Sequence, residues 1–374
     1  MKTVVTEQLG IDFPILAFSH CRDVVAEVSK AGGFGVLGAI TFTPEELEVE
    51  LQWIEKQIGD KPYGVDVLLP SKEGEIASGA KSVADLLPEA QVDFVLHLLA
   101  DHGIEATREE LWGSIRLARE GSVLWSKRSA SLLDVALRHP IRLIASALGS
   151  PTEEMIRRAK EKGVKTAALA GRVDHAIRSV ARGVDFIVAQ GTEAGGHTGE
   201  IATMVLVPEI VDAVAPVPVI AAGGIGRGRQ VAAALALGAE GVWCGSVWLT
   251  TEEAETNPAV KEKFLAATSS DTVRARSRTG KPARQLRSAW TDAWEAAGAP
   301  APLPAPLQGL LAEPPLAKAA KLAGQRHQAR SLATYFVGQI VGSMNQVTKT
   351  RQIVYEMMSE YADVIERIDR MSGG

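Results

Sequence analysis

The sequence predicts a (β/α)8 TIM barrel that carries a long insertion after its third strand and a helical C-terminal extension. Three observations predict it. Short β-branched apolar runs alternate with helix-sized runs, and the alternation occurs eight times. The strand runs are apolar throughout, as strands of a parallel sheet covered on both faces must be. Glycine-rich polar turns follow the later strands, at the end where barrels of this class build their sites. An open doubly wound sheet fits less well, because no GxGxxG opens a helix after the first strand.

The elements follow in order. "PILAF" (14–18) is the first strand, and the run 22–33 is a helix with Val24, Val25, Val28 and Ala31 on one stripe, stopped by Gly32 and Gly33. "FGVLGAI" (34–40) is the second strand. The helix after it, within 43–59, opens on Thr43 as N-cap, with Pro44 in the first helical position and Glu46 completing a capping box. "YGVDVLL" (63–69) is the third strand. Residues 71–139 form the insertion, with helical candidates at 82–103 and 107–120; its role could be to extend the third helix or to roof the site. "IRLIASAL" (141–148) resumes the pattern. Ser150, Pro151 and Glu153 repeat the capping chemistry, and Gly163 ends that helix. The fifth to eighth strands are "VKTAALA" (164–170), "VDFIVAQG" (184–191), "VPVIAAGG" (217–224) and "GVWCGSVWL" (241–249), with helix-sized runs between them. Residues 1–250 thus make the barrel, and 251–374 a mostly helical part expected to pack on it. In that part 299–315 is Pro-rich and reads as an extended strap. A last helix over 346–370 carries Val354, Met357, Tyr361, Val364 and Ile368 on one face.

Composition narrows the function classes. The chain has 374 residues, 46% apolar and 23% charged, with a formal charge of −5. Arg and Lys are dispersed, so nucleic acid is not an expected partner. No apolar stretch of about 18 residues occurs, so no membrane span is expected. The N-terminus has no long apolar run and carries acids early, unlike a signal peptide, and the cytoplasm is the expected location. Cys21 and Cys244 are the only cysteines, and no cluster has metal-ligand spacing, so no metal site is expected.

The chemistry should lie in the polar turns. "AAGGIGRGRQ" (221–230) ends the seventh strand. Gly223 and Gly224 let the backbone approach a ligand there, and the next helix would aim unpaired N–H groups at the same spot. Gly245 and Ser246, at the end of the eighth strand, add another N–H pair and a hydroxyl. Glycine turns after the last two strands are the usual phosphate site of this fold. "GTEAGGHTGE" (191–200) follows the sixth strand. Its glycines, Gly191, Gly195 and Gly196 among them, allow a tight path beside a flat ligand and set His197 at the barrel mouth. A histidine there can take or give a proton near neutral pH. Glu193 is expected to brace the loop. His20 lies at the mouth after the first strand, His97 and His102 fall on an insertion helix, and Arg227 and Arg229 are as readily surface groups as phosphate neighbours.

"VAQGTEAGGHTG", "VPVIAAGGIGRGRQVAAALALGAEGV" and "VAEVSKAGGFGVLGA" resemble the nitronate monooxygenase family, and the likeness extends through "SRTGKPARQLRS" (277–288) and "VGQIVGSMNQV" (337–347). The resemblance implies an FMN-binding barrel. It places the FMN phosphate on Gly223, Gly224, Gly245 and Ser246, with Gln190 and Gly191 beside the ring and His197 on the substrate side. There His197 would remove an acidic C–H proton or steer a bound anion. Gly195, Gly196 and Gln339 are implied as further flavin neighbours. The chain departs from the family at the first strand, where Ala17 and Phe18 stand in place of Pro-Met. It departs again at Asp66, where an Asn is usual, and at "GSVWL", which lacks a positive charge.

The resemblance implies an FMN-dependent oxidoreductase, foremost one that oxidises alkyl nitronates with O2. The same fold and cofactor also serve reductases or dehydrogenases of enoyl or acyl thioesters and NAD(P)H:quinone oxidoreductases. A barrel that binds a phosphorylated ligand without catalysis is the third reading. The partners expected are a small-molecule substrate, nitronate or acyl thioester, with O2 or NAD(P)H, and a second copy of the chain is possible.

Overall fold

The computed structural model describes residues 1–67, 87–123, 125–146 and 149–372, with the backbone alone over 116–123 and 125–130. The insertion residues 71–86 and the end of the fourth predicted strand, Ala147 and Leu148, lie outside the described residues.

Eight parallel strands close into a barrel: β1 (Ile15–Ser19), β2 (Phe34–Gly38), β3 (Tyr63–Asp66), β4 (Leu143–Ser146), β5 (Lys165–Ala170), β6 (Phe186–Gln190), β8 (Val219–Ala222) and β9 (Gly241–Cys244). β9 returns to β1, with Ile15 beside Val242. The intervening β7 (Gly196–His197) belongs to a second, three-stranded sheet with β10 (Thr272–Ala275) and β11 (Ala283–Leu286).

Alternation along the strands sorts side chains into two cores. Leu16, Phe34, Val36, Leu143, Ala167, Phe186, Val188, Ile220 and Trp243 pack together inside the barrel. Their neighbours Ile15, Ala17, Ile187, Ala189, Val219 and Val242 face the helix layer. With a side-chain period of two, Phe18, Gly38, Asp66, Leu169 and Gln190 continue the inner set at the C-terminal ends of their strands. They form the floor of the mouth.

The helices form where capping and apolar spacing place them. The helix Pro44–Ile58 has Thr43 as N-cap, a capping box with Glu46 and buried Leu47, Leu51, Ile54 and Ile58. The helix Glu153–Glu161 is capped by Thr152 rather than by the expected Ser150. Thr152 lies one residue before the first helical position, which its hydroxyl needs in order to reach the Met155 amide, and Ser150 bonds Ser179 instead.

The Pro-rich stretch is not an extended strap over its whole length. A helix runs Leu307–Leu322 with Pro314 and Pro315 inside it. Each interior proline forfeits a helical hydrogen bond and costs about 3 kcal/mol. The offset is burial. Leu310, Leu311, Leu316 and Ala319 enter a core shared with Val92, Val95, Leu99 and Ile115 of the insertion and with Trp290 and Trp294. At about 1.5–3 kcal/mol per buried large side chain, the three leucines contribute on the same order as the two prolines cost. The last helix is Thr350–Met371, beginning later than 346. Val354 and Met357 are buried against the barrel helices, but the stripe continues into solvent, where Ile368 is 49% exposed. Among the described residues no helix is long and apolar enough to cross a membrane.

Candidate functional site

Register sets the frame of the site. Ala222 pairs with Trp243, so the Gly223–Gly224 turn stands beside the Cys244–Gly245 end of β9. Gly223 has φ +109° and Gly224 φ +68°, conformations that L side chains rarely adopt. Among the described residues, no backbone acceptor takes the amides of Gly223, Gly224, Gly245 or Ser246. A Cβ built on Gly245 meets nothing within 4 Å. Ser246 Oγ accepts from the Gly338 amide at 2.8 Å, which leaves the hydroxyl proton free to donate. Four amides and a hydroxyl in neighbouring turns suit a phosphate's oxygens.

The next helix contributes less than its sequence suggests. Its first amides are already taken. Gln230 Oε1 accepts from Gly226 and Arg227, at 2.9 and 3.0 Å, and Glu360 Oε2 accepts from Gly228 at 2.8 Å. Arg227 and Arg229 both pair with Glu360 on the surface. An anion at this end of the barrel would therefore lie on the strand-end turns, not on the helix N-terminus.

On β1, the strand next to β9, Ala17 pairs with Cys244, turns its methyl to the helix layer and offers only backbone. The Phe18 ring lies stacked on Trp243 at 6.5 Å and edge-on to His20 at 5.2 Å. Asp66 is buried at the end of β3, in register with Gly38. His20 Nδ1 lies 2.9 Å from the Gly38 carbonyl, and burial lowers its pKa against that bond.

The glycine loop after β6 is built for close approach. Its start is fixed by the Gly191 amide, which donates to Ala222 O at 2.9 Å. A Cβ at Gly191 would lie 2.1 Å from Thr203 Oγ1, so only glycine fits. Glu193 accepts from the Thr203 amide and hydroxyl, which is the bracing role its position suggested. Gly195 packs against the Gly338 amide, and the Gln339 amide donates to Glu193 O at 2.9 Å. Gly223, Gly224 and Gln339 also border a cavity of about 370 Å³ that reaches Met204, Ala233 and Leu237.

His197 is half-buried. Its Nε2 lies 2.9 Å from Thr279 Oγ1, and its ring centroid is 6.2 Å from that of Phe336. Burial, and then the charge of Lys281, hold its pKa below the ordinary histidine value. The structure thus groups Gln190, Gly191, Gly195, Gly223, Gly224, Ser246 and Gln339 on one side of the mouth. Ala17 and Phe18 adjoin that group on β1, where Ala17 pairs with Cys244, and Asp66 stands two strands further on, at the end of β3. Gly196 and His197 pair with Arg284 and Ala283 in the second sheet.

That second sheet is what sequence reasoning missed. It grips the glycine loop at both ends. Arg284 Nε donates to Thr192 O at 2.8 Å, and Arg274 donates to Thr198 Oγ1 and O at 3.2 Å. Trp243 and Leu169 on the floor were missed as well. For these the period-two alternation was an available signal; for the arginines there was none. A cluster of Cys21, Asp23 and Glu255 also forms near β1. Its thiol donates to Glu253 O at 3.0 Å, and burial pushes its pKa up, so it holds its proton.

Against this geometry, the family model for nitronate monooxygenase matches residues 2–360. The chain belongs to the nitronate monooxygenase family. A Mycobacterium tuberculosis protein provisionally named a monooxygenase is 59% identical over 98% of each chain. A Staphylococcus aureus protein provisionally named a nitronate monooxygenase is 32% identical over 78% of this chain and 80% of its own. Among solved structures, a nitroalkane oxidase from Streptomyces ansochromogenes superposes with TM-score 0.79 at 25% identity, over 97% of this chain and 99% of that one. FabK from Thermotoga maritima superposes with TM-score 0.73 at 26% identity, over 99% of each. A nitronate monooxygenase family member on this barrel is a flavin-dependent oxidoreductase.

Proposed function

We propose that the chain is an FMN-dependent nitronate monooxygenase that oxidises alkyl nitronates, and their parent nitroalkanes, with O2. One observation carries the reading most directly. A half-buried imidazole with a depressed pKa stands on a glycine loop at the same barrel mouth as a double turn of available amides. The amides of Gly223, Gly224, Gly245 and Ser246, with the Ser246 hydroxyl, would hold the FMN phosphate. Gln190, Gly191, Gly195, Gly196, Phe18, Asp66, Gln339 and the backbone of Ala17 would surround the rest of the cofactor. When bound, FMN supplies the acceptor for the substrate's electron pair and the route to O2.

The protein's own part is proton and charge management. A nitroalkane carries an acidic C–H proton, and a neutral imidazole at His197 is the base to take it. A nitronate has already lost that proton. For it the same side chain orients the anion, and the Lys281 charge adds attraction. The stacked Phe18 and Trp243 rings make the β1–β9 part of the floor apolar. Small-molecule substrates and O2 are the partners of this reading.

The test is turnover of a nitroalkane and of its nitronate by His197→Asn. The reading expects flavin to stay bound, nitroalkane turnover to fall by at least about 100-fold, and nitronate turnover to fall less. Equal, unchanged rates on both substrates would contradict it.

A further inference from the structure

We propose that Thr279 is a positioning residue that holds neutral His197 in its Nε2–H form, so that Nδ1 is the atom that receives the substrate proton. The inference rests on the reading of His197 as the base, and it adds which nitrogen acts and what fixes it.

The argument is a proton count. A threonine hydroxyl has one proton and two lone pairs. Thr279 Oγ1 has three neighbours. It accepts from the Lys281 amide at 3.3 Å, because an amide can only donate. It donates to the Lys281 carbonyl at 3.1 Å, because a carbonyl can only accept. One lone pair remains, and His197 Nε2 lies 2.9 Å from it. The arrangement that satisfies all three contacts makes Nε2 the donor. Among the described residues, no hydrogen bond is made by Nδ1, which is left with its lone pair.

The same arrangement serves the protonated state. An imidazolium carries a proton on both nitrogens, so Nε2 still donates to Thr279 after Nδ1 has taken a proton. The hydroxyl need not turn during the step. A donor preset for the charged form, with nothing to reorganise, is how a second residue contributes to proton transfer. The bond balance is simple: the substrate C–H bond breaks, its electron pair stays on the substrate, and the proton forms a bond to Nδ1.

The turn that carries Thr279 stands without it. Gly280 N donates to Arg276 O and Arg276 Nε donates to Gly280 O, both at 2.9 Å. Beyond the turn, Ala283 pairs with His197 through the backbone. Removing the hydroxyl should therefore change the tautomer without dismantling the hairpin.

The experiment uses the full-length, flavin-loaded protein, isotopically labelled at histidine, as wild type, Thr279→Val and Thr279→Ser. Nitrogen NMR at a pH above the titration of His197 reads the tautomer directly, with no substrate present. The wild type and Thr279→Ser should show Nε2 protonated and Nδ1 bare, and Thr279→Val should show a mixture or the reverse. In parallel, kcat for a nitroalkane should fall about tenfold or more in Thr279→Val, with KM little changed, and recover in Thr279→Ser. A wild type with its proton on Nδ1 would overturn the proposal. So would a Thr279→Val protein with unchanged tautomer and kcat. An unaffected His197→Asn enzyme would overturn the base reading and with it the role of Nδ1. The two failures are distinguishable, since the nitrogen shifts need no turnover.

Discussion

The two sides of the barrel mouth each present a histidine, and they hold it by different means. His20 follows β1 directly, and its Nδ1 meets the Gly38 carbonyl of the adjacent strand end. A carbonyl has no proton to give, so the barrel alone dictates that ring's tautomer. His197 sits seven residues beyond the end of β6, on a glycine loop that could adopt many paths. It needs a second element, the hairpin of β10 and β11, with Arg284, Arg274 and Thr279 fixing the loop at three points. A strand end positions a side chain by itself. A loop that must pass close to a ligand gives up that rigidity and borrows it from elsewhere in the chain.

The largest expected effect separates the two histidines. His197→Asn should lower nitroalkane turnover by at least about 100-fold, whereas His20→Asn should cost less than about tenfold. Stopped-flow flavin reduction measures both. Equal losses would erase the distinction between the two sides.

The second effect concerns the glycines behind each histidine. A Cβ at Gly191 meets Thr203 Oγ1 at 2.1 Å and the Thr203 amide at 2.5 Å, both parts of a packed helix start. Gly191→Ala should therefore shift the whole loop, weaken flavin retention and lower turnover by about tenfold or more. A Cβ at Gly38 meets the His20 ring at 2.7 Å. Gly38→Ala should displace that ring and press on Phe18 Cζ at 2.9 Å, lowering the melting temperature by a few degrees at a cost of about 1–3 kcal/mol, while turnover falls less than in Gly191→Ala. Flavin absorbance after gel filtration and a thermal melt read the two variants.

The third effect is in pH. Both histidines are held below their ordinary value of 6.5 by burial. The unfolded chain therefore binds more protons than the folded one between the depressed values and 6.5. Stability should be full above 6.5 and decline as pH falls through that window. His20→Asn and His197→Asn should each flatten the decline, as thermal melts across pH would show. For activity, the acid limb of kcat/KM for a nitroalkane should lie below pH 6.5, because the free base persists there. The smallest effect belongs to Lys281. Its charge lowers the His197 pKa, so Lys281→Gln should move the acid limb upward. The lysine is exposed, so added salt should shrink that difference.

How much of this was legible in the sequence follows the same division. The barrel could be read because each βα unit announces itself locally, through an apolar run and a capped helix such as Thr43–Pro44–Glu46. The strand-end glycines could be read because their turns follow those runs at once. The hairpin could not. β11 is "ARQL", buried along its length although two of its residues are Arg284 and Gln285. No periodicity rule places a buried arginine in a strand, since its burial is set by the distant Thr192 carbonyl and Thr272 hydroxyl that receive its protons. The helix through Pro314 and Pro315 was hidden for a related reason. Local propensity opposes it, and only the distant residues packed on it, the insertion helices with Trp290 and Trp294, explain it. At the occupied N-terminus of the helix Gly228–Ala236, Gln230 takes two amides locally, but the Gly228 amide is taken by Glu360, more than a hundred residues away in sequence.

The central claim is that this mouth binds FMN and passes it electrons from a nitronate. Anaerobic mixing of the purified protein with alkyl nitronates, NAD(P)H and acyl thioesters, followed at the flavin absorbance, tests it most directly. The account predicts a yellow protein that bleaches rapidly with a nitronate, does not respond to NAD(P)H, and recovers its colour when air is admitted. A colourless protein that refuses added FMN, or a flavin that bleaches with NAD(P)H and ignores every nitronate, would contradict it.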